Sequence, residues 1–315
     1  MNLKTENERM DNYYPHTPVL LDSSVEFLVT DTSGVYIDAT LGGAGHTTLI
    51  LDRLDRNGTV FGVDQDREAL AEAFKKVGED SRFHSIEGNF GYLSTLIPPE
   101  FHGKINGVLL DLGVSTHQIR EPERGFSFQH EGPLDMRMSE LSGTSAYEVV
   151  NNYEYKRLRD LIYHYGEERL SRQIAREIIN RRPLETTLEL RSAIESVLYG
   201  PHIIKSVARV FQAIRIEVNQ ELEVLKMALD DSLSLLAPGG RIVVISYHSL
   251  EDRIIKNFFR SGNTDGELEK DFYGNPLTPI RVVTKHIITP SDEEISQNPA
   301  ARSAKLRVGE KISEA

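Results

Sequence analysis

Tyr36-Ile-Asp-Ala-Thr-Leu-Gly-Gly-Ala-Gly-His46 is the stretch that decides the fold. An apolar run ends on an acid, crosses a cluster of glycines and enters a helix start. A strand ending in such a turn surrounds a ligand with bare backbone N–H groups and a helix N-terminus. On its amino side, residues 1–15 read as a leader. His16-Thr-Pro-Val-Leu-Leu and a helix anchored by Val25, Phe27 and Leu28 follow, and Gly34 to Asp38 is the first buried strand. On its carboxyl side a helix runs from Thr47 to Leu54, and Asn57-Gly58 marks a turn.

The pattern then repeats. Thr59 to Asp64 is predicted as a second buried strand, Arg67 to Val77 as a helix, Arg82 to Ile86 as a third strand and Ile105 to Asp111 as a fourth. Strands alternating with helices at this spacing mean a parallel, doubly wound sheet with ligands beyond the carboxyl ends of its strands. Asp38, Asp64 and Asp111 all fall at such ends. One buried acid could be a structural cap; acids at several strand ends are harder to explain as core decoration.

From Ala146 to Leu198 the apolar spacing turns helical, through Leu158, Leu161 and Ile162, then Ile174, Ile178 and Ile179, then Leu190 and Ile194. A long helix from Ile204 to Leu236 follows, with Pro238-Gly-Gly240 as its stop. Arg241 to Ser246, Arg281 to Ile288 and Ala304 to Val308 complete the strands. The expected architecture is an α/β core with an all-helical domain inserted after the fourth strand.

Bulk composition limits the function classes. The 315 residues suffice for one large domain or two ordinary ones. No window approaches 18 uninterrupted apolar residues, the polar start lacks a secretory apolar core, and the absence of cysteine excludes disulfides, thiolate metal sites and a cysteine nucleophile. No metal or membrane partner is expected, and a cytoplasmic location fits. The net charge of −12 argues against a nucleic-acid partner. Residues 169–215, however, carry nine bases against four acids, a local excess of +5 that is compatible with RNA or with a solvated helix face.

For the glycine turn two cofactor classes compete. A dinucleotide wants G-x-G-x-x-G, but with Gly43 and Gly45 as the first pair the third position is Thr48. A carboxylate at Asp38 would repel a pyrophosphate and suit a cationic ligand. Asp64 serves the ribose of either. These features favour S-adenosyl-L-methionine and leave a dinucleotide as the alternative.

Several longer stretches are specific. Asp111-Leu-Gly-Val-Ser-Thr-His-Gln118, Arg124-Gly-Phe-Ser-Phe128, Gly132-Pro-Leu-Asp-Met-Arg-Met138, Tyr165-Gly-Glu-Glu-Arg169, Phe211-Gln-Ala-Ile-Arg-Ile-Glu-Val-Asn219 and Ser246-Tyr-His-Ser-Leu-Glu-Asp-Arg253 resemble the ribosomal RNA small subunit methyltransferase H family. The resemblance runs from His16 to Arg307. It implies a Rossmann-like class I methyltransferase sheet of seven mostly parallel strands. It divides the chain into a discontinuous core, 1–120 with 206–315, and a helical substrate-recognition domain, 121–205. It implies S-adenosyl-L-methionine as donor, and as acceptor N4 of a cytidine in the decoding region of 16S ribosomal RNA, met as RNA or within a small subunit. Competing readings are a non-catalytic ribosome-assembly or RNA-binding factor and a dinucleotide-dependent oxidoreductase.

Carried over, the family's donor site maps onto Ala44, Gly45, His46, Asp64, Phe90, Asp111 and Gln118. Physically, Gly45 and its neighbours offer a backbone nest, Asp64 accepts from ribose hydroxyls, Phe90 lies against adenine, and Asp111 accepts from an amino group. His46 either contacts the donor or packs at the helix start. Gln118 rests on the resemblance alone, and Thr116-His117 departs from the Ser-Pro common in the family. No Asp/Asn-Pro-Pro-aromatic loop follows the fourth strand, so an amine acceptor is likewise implied by the resemblance only. Asp135, Arg137, Ser246 and His248 are the candidates for the acceptor's surroundings. Asp135 with Arg137 either orients a base or holds the insertion together. His248 either moves a proton or makes a structural hydrogen bond. Phe126 and Phe128 either stack on bases or fill core, and Asn219 braces the insertion.

Overall fold

The computed structural model describes residues 18–139 and 143–312; the leader and His16-Thr17 lie outside the described residues. The chain divides into two compact units. Among the described residues, one takes in those up to Gly113 and from Glu223 onward, and the other those of Val114–Leu222.

In the first unit, α1 (Leu21–Leu28), β1 (Val35–Asp38), α2 (Gly45–Arg53), β2 (Thr59–Asp64), α3 (Arg67–Val77), β3 (Phe83–Glu87), a short α4 (Leu93–Leu96) and β4 (Ile105–Asp111) follow in order. The strands line up as β3-β2-β1-β4, all parallel. β5 (Leu236–Ser246) continues the parallel set beside β4. β7 (Lys305–Lys311) runs antiparallel to β5 and to the edge strand β6 (Ile280–Val282), which gives seven strands in the order β3-β2-β1-β4-β5-β7-β6. Neighbouring residues of one strand serve opposite faces. Tyr36, Leu109 and Val243 join one apolar cluster, whereas Ile37, Leu110 and Val244 join the other. Both faces are covered, as a parallel sheet requires.

The second unit is helical: α5 (Thr116–Arg120), α6 (Ala146–Asn152), α7 (Tyr155–Gly166), α8 (Ser171–Asn180), α9 (Thr187–Glu195) and α10 (Ile203–Asn219). Val149, Leu158, Ile162, Ile174, Ile178, Leu190, Val210 and Ile214 are buried together in its core. Thr186 caps α9 by accepting from the Glu189 N–H, and Glu189 returns a bond to the Thr186 N–H, a capping box read from Thr186-x-x-Glu189.

Three sequence expectations need correction. The long helix from Ile204 to Leu236 is two helices, α10 and α11 (Glu221–Leu235), because Gln220 takes a left-handed φ of 51° and ends α10. Apolar periodicity runs on through the break, so no sequence signal marks it. Pro238-Gly-Gly240 does not stop a helix; it lies in the irregular start of β5, where the register against β4 jumps from Leu236 to Arg241. The sixth strand is only Ile280–Val282, and Ile288 touches β7 through an isolated bridge to Leu306.

Candidate functional site

β1 has β2 on one side and β4 on the other, so the strand order reverses beside it. That switch point is where open α/β sheets take ligands. The glycine turn leaving β1 is pinned to both neighbours. Ala39 N–H donates to Leu109 O at 2.9 Å, and Leu41 N–H to Val63 O at 3.0 Å. Ala44 takes a left-handed φ of 54° at the entrance to α2. Gly45 faces Pro18 so closely that a Cβ there would lie 2.1 Å from the proline Cγ. The third glycine of the cluster thus serves packing as well as any ligand.

Three acids close this end of the sheet. Asp38 is buried, and its Oδ2 accepts from Thr47 Oγ1 at 2.7 Å; burial pushes its carboxyl up to about 6. Asp64 Oδ2 accepts from Gly42 N–H and Oδ1 from Asp66 N–H, both at 2.9 Å. Burial raises the Asp64 carboxyl to about 6 despite those bonds. Each oxygen keeps a lone pair for a hydroxyl. Asp111 Oδ1 accepts from Tyr247 Oη at 2.8 Å, and burial, with Asp38 and Glu251 nearby, raises its carboxyl to about 7. The Asp111 N–H donates to Thr40 Oγ1 at 2.7 Å, which ties β4 to the glycine turn.

His46 is buried and held neutral, pushed down to about 4 by desolvation. Its Nε2 lies 3.3 Å from Val19 O. A carbonyl only accepts, so Nε2 carries the proton and Nδ1 is left as an acceptor. That Nδ1 lies 4.0 Å from Asp111 Oδ2. Two acceptors therefore face each other, an arrangement that suits an N–H-rich cation.

Phe90 opens a single 3-10 turn just beyond β3 and is half-buried against the core. Gln118 belongs to the helical unit, where its Oε1 accepts from Ser115 N–H at 3.1 Å while Ser115 Oγ caps the Gln118 N–H. Ser246 ends β5 fully buried, its Oγ without a hydrogen-bond partner among the described residues. His248 is the N-cap of α12 (Ser249–Ser261), with Nδ1 3.4 Å from the Glu251 N–H it accepts from. Its Nε2 approaches Glu251 Oε1 at 3.1 Å without hydrogen-bond alignment. Glu251 Oε2 meanwhile accepts from Tyr247 N–H at 2.9 Å.

Within the helical unit, Arg137 Nε and one terminal nitrogen each donate to an Asp135 oxygen at 2.8 Å, a two-point pair closed around Met136 with its positive φ of 59°. Burial raises the Asp135 carboxyl, but the bonds and charge of Arg137 outweigh it and leave it below the ordinary carboxylate range. Both side chains remain about a third exposed, at 31%. Asn219 holds their loop by accepting from Met138 N–H and donating to Met136 O, each at 2.8 Å. Gly132 admits no side chain, since a Cβ would lie 1.8 Å from Pro122 O. Phe126 is buried and Phe128 packs edge-on against Phe211 at 5.5 Å, so these rings fill core.

The basic stretch divides by partner. Arg181, Arg191 and Arg215 pair with Glu177, Glu195 and Glu221. Arg182 donates to Val150 O at 2.7 Å and Tyr153 O at 2.6 Å, so it is a structural clamp. Arg169, Arg172, Arg176 and Lys205 are exposed without an ion pair among the described residues. Tyr247 was no sequence candidate. Only its place between Ser246 and His248 pointed to it, because hydrogen bonding to Asp111 depends on strands distant in sequence.

Residues 13–312 match the model of the MraW methylase family. The chain is 47% identical over 302 residues to the ribosomal RNA small subunit methyltransferase H of Flavobacterium johnsoniae, covering 94% of this chain and 98% of that one. It is 44% identical to the protein of the same name from Parabacteroides distasonis over 311 residues, 97% of this chain and all (100%) of the relative. A crystal structure of a putative rRNA-methylase from Clostridium thermocellum aligns over 93% of this chain and 94% of its own at 15% identity, with a TM-score of 0.43, too distant to bear on function.

Proposed function

The chain belongs to the MraW methylase family, and from that premise we propose that it transfers a methyl group to the exocyclic N4 of a cytidine in the decoding region of small-subunit ribosomal RNA. It is an S-adenosylmethionine-dependent rRNA methyltransferase, which sets aside the dinucleotide alternative. The observation that carries the acceptor is the similarity to small-subunit rRNA methyltransferases along nearly the whole chain, helical insertion included.

The donor supplies a sulfonium-bound methyl, an electrophile that needs alignment more than activation. The residues at the strand ends fit such a ligand. Asp111 Oδ2 and His46 Nδ1 are two acceptors at 4.0 Å, suited to an ammonium group. Of the first-turn N–H groups of α2, that of Thr47 already meets the Asp38 carboxyl, and those of Gly45 and His46 suit the donor's carboxylate. Asp64 presents lone pairs to ribose hydroxyls, and Phe90 an aromatic face to adenine. Gln118 remains a donor-site assignment carried by the resemblance.

On the acceptor side, cytosine N4 is a poor nucleophile because its lone pair is delocalised into the ring. An acceptor for N4–H would both hold it and raise its reactivity, and the base must leave its stack to be reached. In the core we assign this work to Ser246, whose buried Oγ has no hydrogen-bond partner among the described residues. Within the helical unit we assign Asp135 with Arg137 to orienting a base edge or phosphate. His248 supports the site by capping α12. The exposed Arg169, Arg172, Arg176 and Lys205 are the phosphate-binding face. The test is transfer of labelled methyl from S-adenosylmethionine into small-subunit RNA, followed by digestion to nucleosides. Label on N4-methylcytidine is the expected result; label on a ring carbon or a ribose overturns the acceptor.

A further inference from the structure

At the far end of the core from the donor pocket stands a feature that methyl transfer does not use. α12 carries the chain from the carboxyl end of β5 back to Ser261, and the following segment leads into β6 at Ile280. Ile280 pairs with Lys311 and Arg281 with Glu310, while Glu310 also pairs with Arg241. This segment therefore enters the sheet at the amino end of β5. At about 3.3 Å per residue, Arg241 stands roughly 17 Å from Ser246 at the donor end.

The segment closes into a small hairpin. Leu277 N–H donates to Glu269 O at 2.8 Å, Asp271 N–H to Asn275 O at 2.9 Å, and Lys270 bridges to Pro276. Asp271 organises the tip. Its Oδ1 accepts from Tyr273 N–H and Asn275 N–H at 2.8 Å, and its Oδ2 from the Asn275 side chain at 2.9 Å. These bonds, the Asn275 side chain foremost, keep the Asp271 carboxyl below its ordinary range. The tip so fixed displays Phe272, 97% exposed, and Tyr273, 86% exposed, edge-on to each other at 5.6 Å, with Leu277 also in solvent. A loop with no binding task would fill these positions with polar residues; paired exposed aromatics on a bonded turn are anchors of the kind that dominate interfaces.

The neighbouring charge identifies the partner. Asp265, Glu267, Glu269 and Asp271 surround a single cation, Lys270, within that run of sequence. Arg260 is occupied with Gly266 O, and Arg281 with Glu310. Phosphates would be repelled here, and the basic face that a second copy could offer, Arg169, Arg172, Arg176 and Lys205, is the one assigned above to RNA phosphates. We propose that the Phe272–Tyr273 hairpin is a second docking element that seats in an apolar socket on a basic protein, a protein component of the particle that presents the RNA substrate. This rests on the proposed rRNA reading and adds to it a protein contact remote from the reacting base.

The test uses the full chain, intact small ribosomal subunits and the same RNA stripped of protein. Binding is read by co-sedimentation for wild type and for the Phe272→Ala/Tyr273→Ala variant, and donor affinity by calorimetry reports that the variant is folded. The variant is expected to bind intact subunits about tenfold or more weakly while its affinity for stripped RNA stays unchanged. Equal losses on both targets would make the hairpin a nucleic-acid contact, and no loss on either would remove it as a docking element. A wild-type dimer that the variant abolishes would assign it to a second copy. Each of these overturns the proposal. Sedimentation does not depend on turnover, so absence of methyl transfer by the wild type would count against the rRNA reading separately.

Discussion

His46 Nδ1 and Asp111 Oδ2 face each other across 4.0 Å as two hydrogen-bond acceptors. A cationic N–H donor placed between them satisfies both. Replacing Asp111 with Asn removes the charge but keeps the shape, and is expected to weaken S-adenosylmethionine binding by about tenfold to a hundredfold. Because the Asp111 carboxyl is raised to about 7, wild-type affinity should fall as pH drops below neutrality. Calorimetry across pH should show that slope in the wild type and a shallower one, shifted toward the titration of Asp38 and Asp64 at about 6, in the variant; a variant with wild-type affinity removes Asp111 from the site.

Stability of the ligand-free protein should depend on pH through the same acids. Asp38 and Asp64 sit at about 6 and Asp111 at about 7, all above the ordinary 3.8, so folding favours their protonated forms. Their contribution is most favourable in acid and is lost as pH rises from about 4 through about 7. His46, lowered to about 4 from 6.5, acts oppositely, favouring the fold above 6.5 and losing that as pH falls. Between about pH 6.5 and about pH 8 the acids dominate, so Tm without ligand should be lower at the higher pH. S-adenosylmethionine should raise Tm more there, because it pairs with the ionised forms. A pH-independent thermal shift would contradict this.

Asp64 is held by Gly42 and Asp66 N–H groups, and its remaining lone pairs point to ribose hydroxyls in the proposed pose. Asp64→Ala is expected to lower donor affinity by about tenfold to a hundredfold. Unchanged affinity by calorimetry would show that the ligand lies elsewhere.

Gly45→Ala tests the packing of the turn. A Cβ would lie 2.1 Å from Pro18 Cγ, so the turn and the segment before α1 must shift. The expected cost is about 1–3 kcal/mol in denaturant unfolding without ligand. No loss would mean that Pro18 yields easily.

The basic face divides into contacts and clamps. Arg172→Glu with Arg176→Glu should weaken RNA binding and flatten its salt dependence, with stability nearly unchanged. Arg182→Ala should instead destabilise the helical unit, since the Val150 and Tyr153 carbonyls lose their donor, by about 1–3 kcal/mol. Filter binding across salt and thermal unfolding separate the two effects.

Much of the core was legible because its elements end on strong local signals. β2, β4 and α3 lie where apolar runs, terminal acids and Asn57-Gly58 place them. Long-range features were not legible. Gln220 breaks a helix with neither Gly nor Pro, and β6 is short because its pairing with β7 depends on tertiary placement. In the site, the acids at the strand ends were readable from position alone. The Tyr247 bond to Asp111 and the Pro18 contact at Gly45 join residues far apart in sequence. Within the basic stretch 169–215, Arg182 could not be told from its neighbours, because charge pattern cannot distinguish a solvated guanidinium from one bonded to carbonyls.

The most direct test is nucleoside mass spectrometry of small-subunit RNA from cells lacking this chain, restored with wild type or with Asp64→Ala. N4-methylcytidine in the decoding region should be absent without the chain, return with wild type, and return weakly or not at all with the variant. N4-methylcytidine that persists at full level without the chain would contradict the assignment.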